Sequence, residues 1–490
     1  MGGLLIGVDI GTSSVKAILL GAEGDRLDAY SAAYPTRRPA TGRVEQDPSD
    51  WLAHVTAALA RFARHPLATQ VVAIGITSQV NTHVFCDSTL VPLLPAITWA
   101  DGRAAGEATA LDMQLDDDAK VAALGAPIPI DASHALARMC WVKAQRPDVW
   151  ARTAHVLLPK DYVIARLTGC VAADPISAVG LVGTDHAYAA GVLDLLAEAT
   201  ARLAPLADPL EVVGPVAAGQ PFAGTPVVCG TMDAWASMFG VGVAAEGQVM
   251  NLCGTSDVLG LISDLHAPTP GVITFAPWRG IRLHAAPTQA GGAALVWLAG
   301  VLDAPPEALA ELAAHTAITA DSPLFLPHLE GERAPLWDSA TRGTFAGLSG
   351  RSGRAEIVAA VLEGVAFSAR MALEAVEASG MRSATRIHIG GGGAASDAWC
   401  QIRANALGRP LLRMGAQDPG ALGAAVMAGV GVGLIPDLVS AAGQLVSQGR
   451  ETLPEAAATA LADDRFALFQ KLYQDARPVN AALSGSAVRH

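Results

Sequence analysis

Gly11-Thr12-Ser13-Ser14-Val15 recurs half a chain later as Gly254-Thr255-Ser256-Asp257-Val258. Each copy lies between two apolar runs of strand length. These are Leu4 to Ile10 and Val15 to Leu20 around the first, Val249 to Cys253 and Val258 to Ile262 around the second. An apolar run, a Gly-Thr-Ser turn and a second apolar run read as a β-hairpin. Such a turn directs backbone N–H groups and hydroxyls beyond the strands, which is how a protein cradles phosphate without a formal charge. Two copies predict two similar lobes, each offering one cradle to a shared cleft. Only the first copy has a carboxylate just before the turn, Asp9; the second has Leu252-Cys253 there. That asymmetry suits one hydrated Mg²⁺ on one side of a triphosphate. The tripeptide is also ordinary turn chemistry, so either copy alone would decide little.

A chain of 490 residues exceeds what one core usually supports, and 51 % apolar residues suffice for two. Only 16 % are charged, and no low-complexity tail argues for disorder. A net charge of −13 disfavours nucleic acid and anionic membrane as partners, though not a nucleotide held by a metal and a few local cations. No basic start followed by an apolar stretch marks a leader, so a cytoplasmic protein is expected. The longest Gly/Ala-rich apolar run, Gly420 to Ile435, is short and glycine-broken, which suits a buried helix better than a membrane span. Six scattered cysteines without CxxC read as small buried hydrophobes in a reducing compartment, and no zinc site is expected.

The expected elements alternate as in an α/β protein. Strands are expected at Leu4–Ile10, Val15–Leu20, Arg26–Tyr34, 71–77 and 225–228, with Gly21-Ala22-Glu23-Gly24-Asp25 as the second turn. Asp47-Pro48 reads as a cap and first turn of a helix near Trp51. A glycine-rich stretch before the second hairpin places the boundary near 245, giving domains 1–245 and 246–490. The second half adds a helix over 354–378, a strand at 385–389, helices from Ser396-Asp397 and over 421–431, and a closing helix over 454–482.

Asp233 follows a strand and the small-residue turn Gly230-Thr231-Met232. Ligands of open α/β sheets bind at such strand ends, and a carboxylate there can take a proton from an attacking hydroxyl. Asp233 also suits the N-cap of the helix-like stretch that follows it. Gly390-Gly391-Gly392-Gly393, with Ala395, lets backbone approach a ligand closely and also fits a dinucleotide fingerprint, which would make the protein an oxidoreductase. No P-loop sequence is present.

These pieces together resemble the FGGY family of carbohydrate kinases nearly end to end. Asp9-Ile10-Gly11-Thr12-Ser13-Ser14-Val15-Lys16 resembles the family's first phosphate motif and Gly254-Thr255-Ser256 its second. Trp99-Ala100-Asp101-Gly102-Arg103 is similar to its W-x-D-x-R segment, and Gly331-Glu332-Arg333-Ala334-Pro335 to its G-E-R-x-P loop. Gly343 to Leu348 followed by Glu356 to Glu363 resembles the C-terminal signature. Gly391-Gly392-Gly393, Ser396, Trp399 and Gln401 resemble the adenosine motif. The resemblance implies two ribonuclease-H-like, actin/hexokinase-type domains flanking a central cleft that holds ATP and sugar. It implies Asp233 as catalytic base and Asp9 as the Mg²⁺-associated carboxylate. Gly11, Thr12, Ser13, Lys16, Gly254 and Thr255 fall on the phosphate motifs, and Gly391, Gly392 and Ser396 on the nucleoside edge.

Gln79-Val80-Asn81 occupies the segment that resembles the sugar-recognition region, and Trp99 and Asp233 are expected to contact the substrate as well. Xylulokinases resemble Q-M-H-G there and glycerol kinases Q-R-E-T; neither pattern is met. A neutral amide suits vicinal hydroxyls and an apolar wall a neutral ketose or polyol, whereas gluconate would call for a cation. His83 alternates towards the core; Ser133, His134 and Arg138 fall in a region that often lines the family's pocket. Whole-chain similarity makes a pentulose such as xylulose the first expectation, with ribulose, a pentitol, a tetritol or glycerol as alternatives. A non-transferring actin-like ATPase or sugar sensor is the rival from another class. Related kinases are often homodimers.

Overall fold

The computed structural model describes residues 3–21, 23–415 and 418–486. Ala22 of the second expected turn lies outside them. The labelled strands are β1 (Leu4–Ile10), β2 (Ser14–Leu20), β3 (Arg26–Ala33), β4 (Val71–Ser78), β5 (Val212–Pro215), β6 (Pro226–Val228), β7 (Val249–Cys253), β8 (Asp257–Ile262), β9 (Ile273–Thr274), β10 (Leu283–Pro287), β11 (Ile387–Gly390), β12 (Leu411–Met414) and β13 (Gln448–Thr452). The labelled helices are α1 (Pro48–Phe62), α2 (Pro159–Thr168), α3 (Asp233–Gly240), α4 (Gly292–Val301), α5 (Arg354–Ser379), α6 (Asp397–Leu407), α7 (Pro419–Gly431) and α8 (Ala456–Ser486).

The chain divides into two compact units. One is Met1–Gly240 with Asp418–Val446, the other Val241–Gln417 with Ser447–His490. In the first, six strands run in the order β3-β2-β1-β4-β6-β5. The first hairpin pairs Leu5 with Leu20 through Ile10 with Val15, and β4 lies parallel to β1 on the other side. Alternation sends Ile6, Val8 and Ile10 into one core with Trp51, Val55, Leu59 and Phe62 of α1. Asp47 caps α1 by accepting from Ser49 N at 3.0 Å, and Pro48 fills the first helical position.

The opposite face is covered by α7, which returns from the far end of the sequence. Its residues are mostly Gly and Ala, and it is buried almost throughout. Small residues are needed because the helix backbone lies directly on the strands. A Cβ at Gly7 would collide with the carbonyl of Ala421, and one at Gly75 with that of Ala424. The sequence reading places Asp418–Val446 within 246–490, yet this segment packs with the first unit.

The second unit repeats the pattern. Seven strands run β9-β10-β8-β7-β11-β12-β13. Its hairpin pairs Val249 with Leu261 through Cys253 with Asp257, and β11 is parallel to β7. The segment β10-β8-β7-β11-β12 thus matches β3-β2-β1-β4-β6, so the repeated tripeptide marks a repeated sheet. Ala369, Ala372, Leu373 and Val376 of α5 share a core with Val249, Leu259, Leu261 and Ile389. Both units have the ribonuclease-H-like α/β architecture that the resemblance implied.

Cys86, Cys229, Cys253 and Cys400 are buried, but Cys140 is only partly covered and Cys170 is exposed, which corrects the expectation for all six. Cys170 follows Gly169, which ends α2, and so lies on the turn that leaves the helix. Among the described residues no single helix is long and apolar enough to cross a membrane.

Candidate active site

The three parallel strands of the first unit end side by side. Asp9 pairs with Thr77 and Ile10 with Ser78, and Ser78 bridges Met232, the residue before Asp233. This edge therefore gathers Asp9, the turn Gly11-Thr12-Ser13, the segment Gln79-Val80-Asn81 and Asp233. Thr12 and Ser13 are exposed at the turn. Asp233 is the first residue of α3 and half-buried, with Oδ1 accepting from Ala234 N at 2.8 Å.

Asp9 lies on the face covered by α7, and a Cβ at Gly420 would collide with its carboxylate. Its Oδ1 is sealed from solvent and has no hydrogen-bond partner in the structure. Burial, with Asp233 and then Asp418 adding negative charge nearby, pushes its pKa up to about 7, while Lys16 opposes the rise. Lys16 is the cross-strand partner of Asp9, with Nζ 3.2 Å from Asp418 Oδ1. A half-buried carboxylate this poorly neutralised, with one sealed and orphaned oxygen, fits a hard cation such as Mg²⁺, which takes few carboxylates and keeps waters or phosphate oxygens as further ligands. Among the described residues no cluster of three or more His, Cys, Asp or Glu could form a metal cage by itself.

The first turn is held from beneath by amides and hydroxyls. Tyr34 OH donates to Gly11 O, and Gln46 Nε2 donates to Thr12 O at 2.7 Å. Gln79 is 1 % exposed; it donates to Gln46 Oε1 at 2.8 Å and accepts from Thr82 Oγ1 at 3.3 Å. Gln79 therefore supports the turn. Trp99 Nε1 donates to Thr12 Oγ1 at 3.3 Å, so the indole lies beside the cradle.

Val80 and Asn81 are partly accessible. Asn81 adopts φ 54°, a left-handed conformation that Asn tolerates, and its Nδ2 donates to Ser133 Oγ at 3.1 Å. Arg138 holds the segment from below. It is fully buried and donates to the carbonyls of Asn81, Thr98 and Ile97 (3.0 Å for the last), and to His83 Nδ1 at 2.8 Å. Burial and the neighbouring guanidinium keep His83 well below the ordinary imidazole range, so it is a neutral core residue. His134 is buried as well, capping the next helix through Leu136 N.

In the second unit Gly254 and Thr255 are exposed on their turn. Leu252 pairs with Gly390, which brings the run Gly391-Gly392-Gly393 to the same sheet edge. Gly391 has φ 91° and rests on the Cys253 carbonyl, where a side chain would collide. Ser396 caps α6 by accepting from Trp399 N at 3.2 Å. Sequence reasoning missed Gly291-Gly292, which starts α4 against the turn. Gly292 N donates to Gly254 O at 2.9 Å and Ala293 N to Thr255 O at 3.0 Å. A paired glycine before the apolar run 294–299 was the available signal. Gln46 and Asp418 were missed too, being remote in sequence from the residues they serve.

The family model described as the N-terminal domain of the FGGY family of carbohydrate kinases matches residues 4–240, and the model of its C-terminal domain matches 249–432. The chain is similar to the xylulose kinase of Escherichia coli (strain K12), 31 % identical over 98 % of this chain and 100 % of the relative. It is 33 % identical to the xylulose kinase of Klebsiella pneumoniae over 88 % of this chain and 90 % of the relative. The crystal structure of gluconate kinase from Lactobacillus acidophilus superposes with a TM-score of 0.87 at 25 % identity, over 97 % of this chain and 98 % of that one. The late glycine run falls inside the C-terminal kinase domain, which removes the oxidoreductase reading. The chain, with two domains of the actin/hexokinase type, is an ATP-dependent sugar kinase and belongs to the FGGY family of carbohydrate kinases.

Proposed function

We propose that the enzyme transfers the γ-phosphate of ATP to a hydroxyl of a neutral pentulose such as xylulose, with Asp233 as the base. The observation that carries the choice of sugar is the state of Arg138. This cation beside the sugar segment spends both terminal nitrogens of its guanidinium on three main-chain carbonyls and His83, deep in the core. It is thereby withheld from a sugar carboxylate, and the accessible groups of the segment are the neutral Val80 and Asn81, flanked by Trp99. The two curated relatives named xylulose kinase support the same choice.

On this reading Asp233 accepts the hydroxyl proton as the new O–P bond forms and the bond to the departing ADP breaks. Phosphoryl transfer needs alignment and charge stabilisation more than covalent chemistry. The turns carrying Gly11, Thr12 and Ser13, and Gly254 and Thr255, supply preorganised N–H and hydroxyl donors to the phosphates, with Lys16 adding a cation. Gly391, Gly392 and Ser396 receive the nucleoside. Mg²⁺, held through Asp9 and water, would neutralise charge on the phosphate oxygens. Gln79 acts indirectly by steadying the first turn.

ADP release across ketoses, polyols and gluconate tests the reading. Xylulose is expected to give the highest kcat/KM, and Asp233→Ala to fold normally and lose about 10²–10⁴-fold in kcat. A preference for gluconate would overturn the sugar assignment, and near-native turnover in Asp233→Ala would remove the base.

A further inference from the structure

Beneath the turn that leads to Asp233 lies a buried charged cluster with no role in the chemistry above. Lys160, near the start of α2, places Nζ 2.5 Å from Asp161 Oδ1 and 2.8 Å from Asp174 Oδ2, and all three side chains are 0–2 % exposed. Burial alone would lower the lysine pKa, but the two carboxylates hold it well above its ordinary value, so the amine stays charged. Ions this deep are costly to desolvate and contribute little net stability. Their remaining bonds show what the cluster fastens.

Asp174 Oδ1 accepts from Thr231 Oγ1 at 2.8 Å and from the backbone N–H groups of Ile176 (3.1 Å) and Ser177 (2.9 Å). The carbonyl of the same Thr231 accepts from Thr77 Oγ1 at 2.5 Å. Lys160 N donates to Ser78 Oγ at 3.1 Å. The cluster thus grips the end of β4, immediately before Gln79-Val80-Asn81, and the turn residue two places before Asp233. Thr231 is held at both its hydroxyl and its carbonyl, and the Met232–Ser78 bridge continues the same attachment.

We propose that Asp174, clamped by Lys160, is a positioning residue that fixes Asp233 relative to the sugar-recognition segment through Thr231. The inference rests on the reading of Asp233 as the base. A base must be placed to a fraction of an ångström, and a displacement of about 1 Å can cost roughly 10²-fold in rate. The cluster supplies that placement from a site inaccessible to substrate, joining two chain segments that are far apart in sequence.

Asp174→Asn would leave Lys160 poorly compensated and risks failing to fold, so Thr231 carries the test. Thr231→Val removes one hydroxyl and leaves Asp174 with Lys160 and two backbone donors. It is expected to lower kcat about 10–100-fold, with KM for ATP unchanged within about twofold and folding preserved. Thr231→Ser, which restores the hydroxyl, is expected to recover most of that loss. Wild-type kcat in Thr231→Val, with Asp233→Ala inactive, would overturn the positioning role and leave the base in place. A loss that Thr231→Ser fails to recover would also overturn it. Retained turnover in Asp233→Ala would overturn the base and the positioning role together.

Discussion

Asp257, buried, and Asp9, half-buried with one oxygen sealed from solvent, lie beside the two Gly-Thr-Ser turns, one in each hairpin, and their surroundings differ. Asp257 follows its turn, where the first hairpin has Ser14, and meets Arg403 of α6 at 2.5 Å, both side chains at most 1 % exposed. Arg403 also lies over the Trp399 ring, 4.7 Å from its centroid. Charge is thus cancelled inside the second hairpin, and the pair ties the second Gly-Thr-Ser turn to the helix capped by Ser396. Asp9 has no such partner; the nearest lysine is drawn towards Asp418. One backbone device therefore carries two electrostatic designs. A compensated carboxylate is a fastening, whereas an undercompensated one is a liability that only a ligand makes worthwhile.

Neutralising each carboxylate tests that division most directly. Asp257→Asn strands a buried guanidinium and is expected to cost about 3–5 kcal/mol of stability in denaturant titrations, while the folded fraction keeps its turnover. Asp9→Asn is expected to do the reverse, losing on the order of 10²–10³-fold in phosphoryl transfer without loss of stability. If Asp257→Asn abolished turnover in fully folded protein, or Asp9→Asn left it intact, the division would be wrong.

Burial raises both carboxyls above their ordinary value, and for Asp9 the rise predicts a pH dependence. Asp9 titrates near 7 in the folded protein against an ordinary carboxylate value of 3.8, so the native state holds the proton more tightly than the unfolded chain. Its contribution to stability is full below about pH 4 and is lost as pH rises through 7. The difference between 3.8 and about 7 corresponds to up to about 4 kcal/mol. Asp9→Asn lacks this dependence, so without divalent cations its stability advantage over the wild type should widen from pH 4 to pH 8. A gap independent of pH would show that Asp9 is neutralised after all.

A third test converts the second hairpin towards the first. Asp257→Ser with Arg403→Met removes both charges, and the double variant should be about 1–3 kcal/mol more stable than the sum of the two single losses predicts. Strict additivity would deny the pair its role.

The hairpins were legible because a strand–turn–strand signal is local. Apolar runs and turn residues set β1 and β7 at the expected ends, and β2 and β8 start one residue earlier than expected, at Ser14 and Asp257. Asp233 was legible as a carboxylate after a strand and a turn. What stayed hidden is long-range. Nothing near position 9 announces that Asp418 and Gly420 pack beside it, and Gln46 serves a turn more than 30 residues away in the chain. The helices between 105 and 168 were passed over because several are short and weakly periodic. The Gly/Ala-rich run was read as a buried helix, but composition alone did not say which sheet it would cover.

The smallest expected effect concerns Lys16, whose positive charge acts against the burial and the neighbouring carboxylates that raise Asp9. Its side chain is 40 % exposed, so Lys16→Met should cost under about 1 kcal/mol in stability. Its charge nevertheless opposes the rise of the Asp9 pKa, and Asp418 would then face Asp9 with less neutralisation. Comparing wild-type and Asp9→Asn stability across pH, each with and without Lys16→Met, isolates that influence. The midpoint assigned to Asp9 should move above about 7, because the carboxylate form loses its nearest favourable charge. An unmoved midpoint would mean that burial, Asp233 and Asp418 set the acidity of Asp9 without Lys16, whose charge then serves only its ion pair with Asp418.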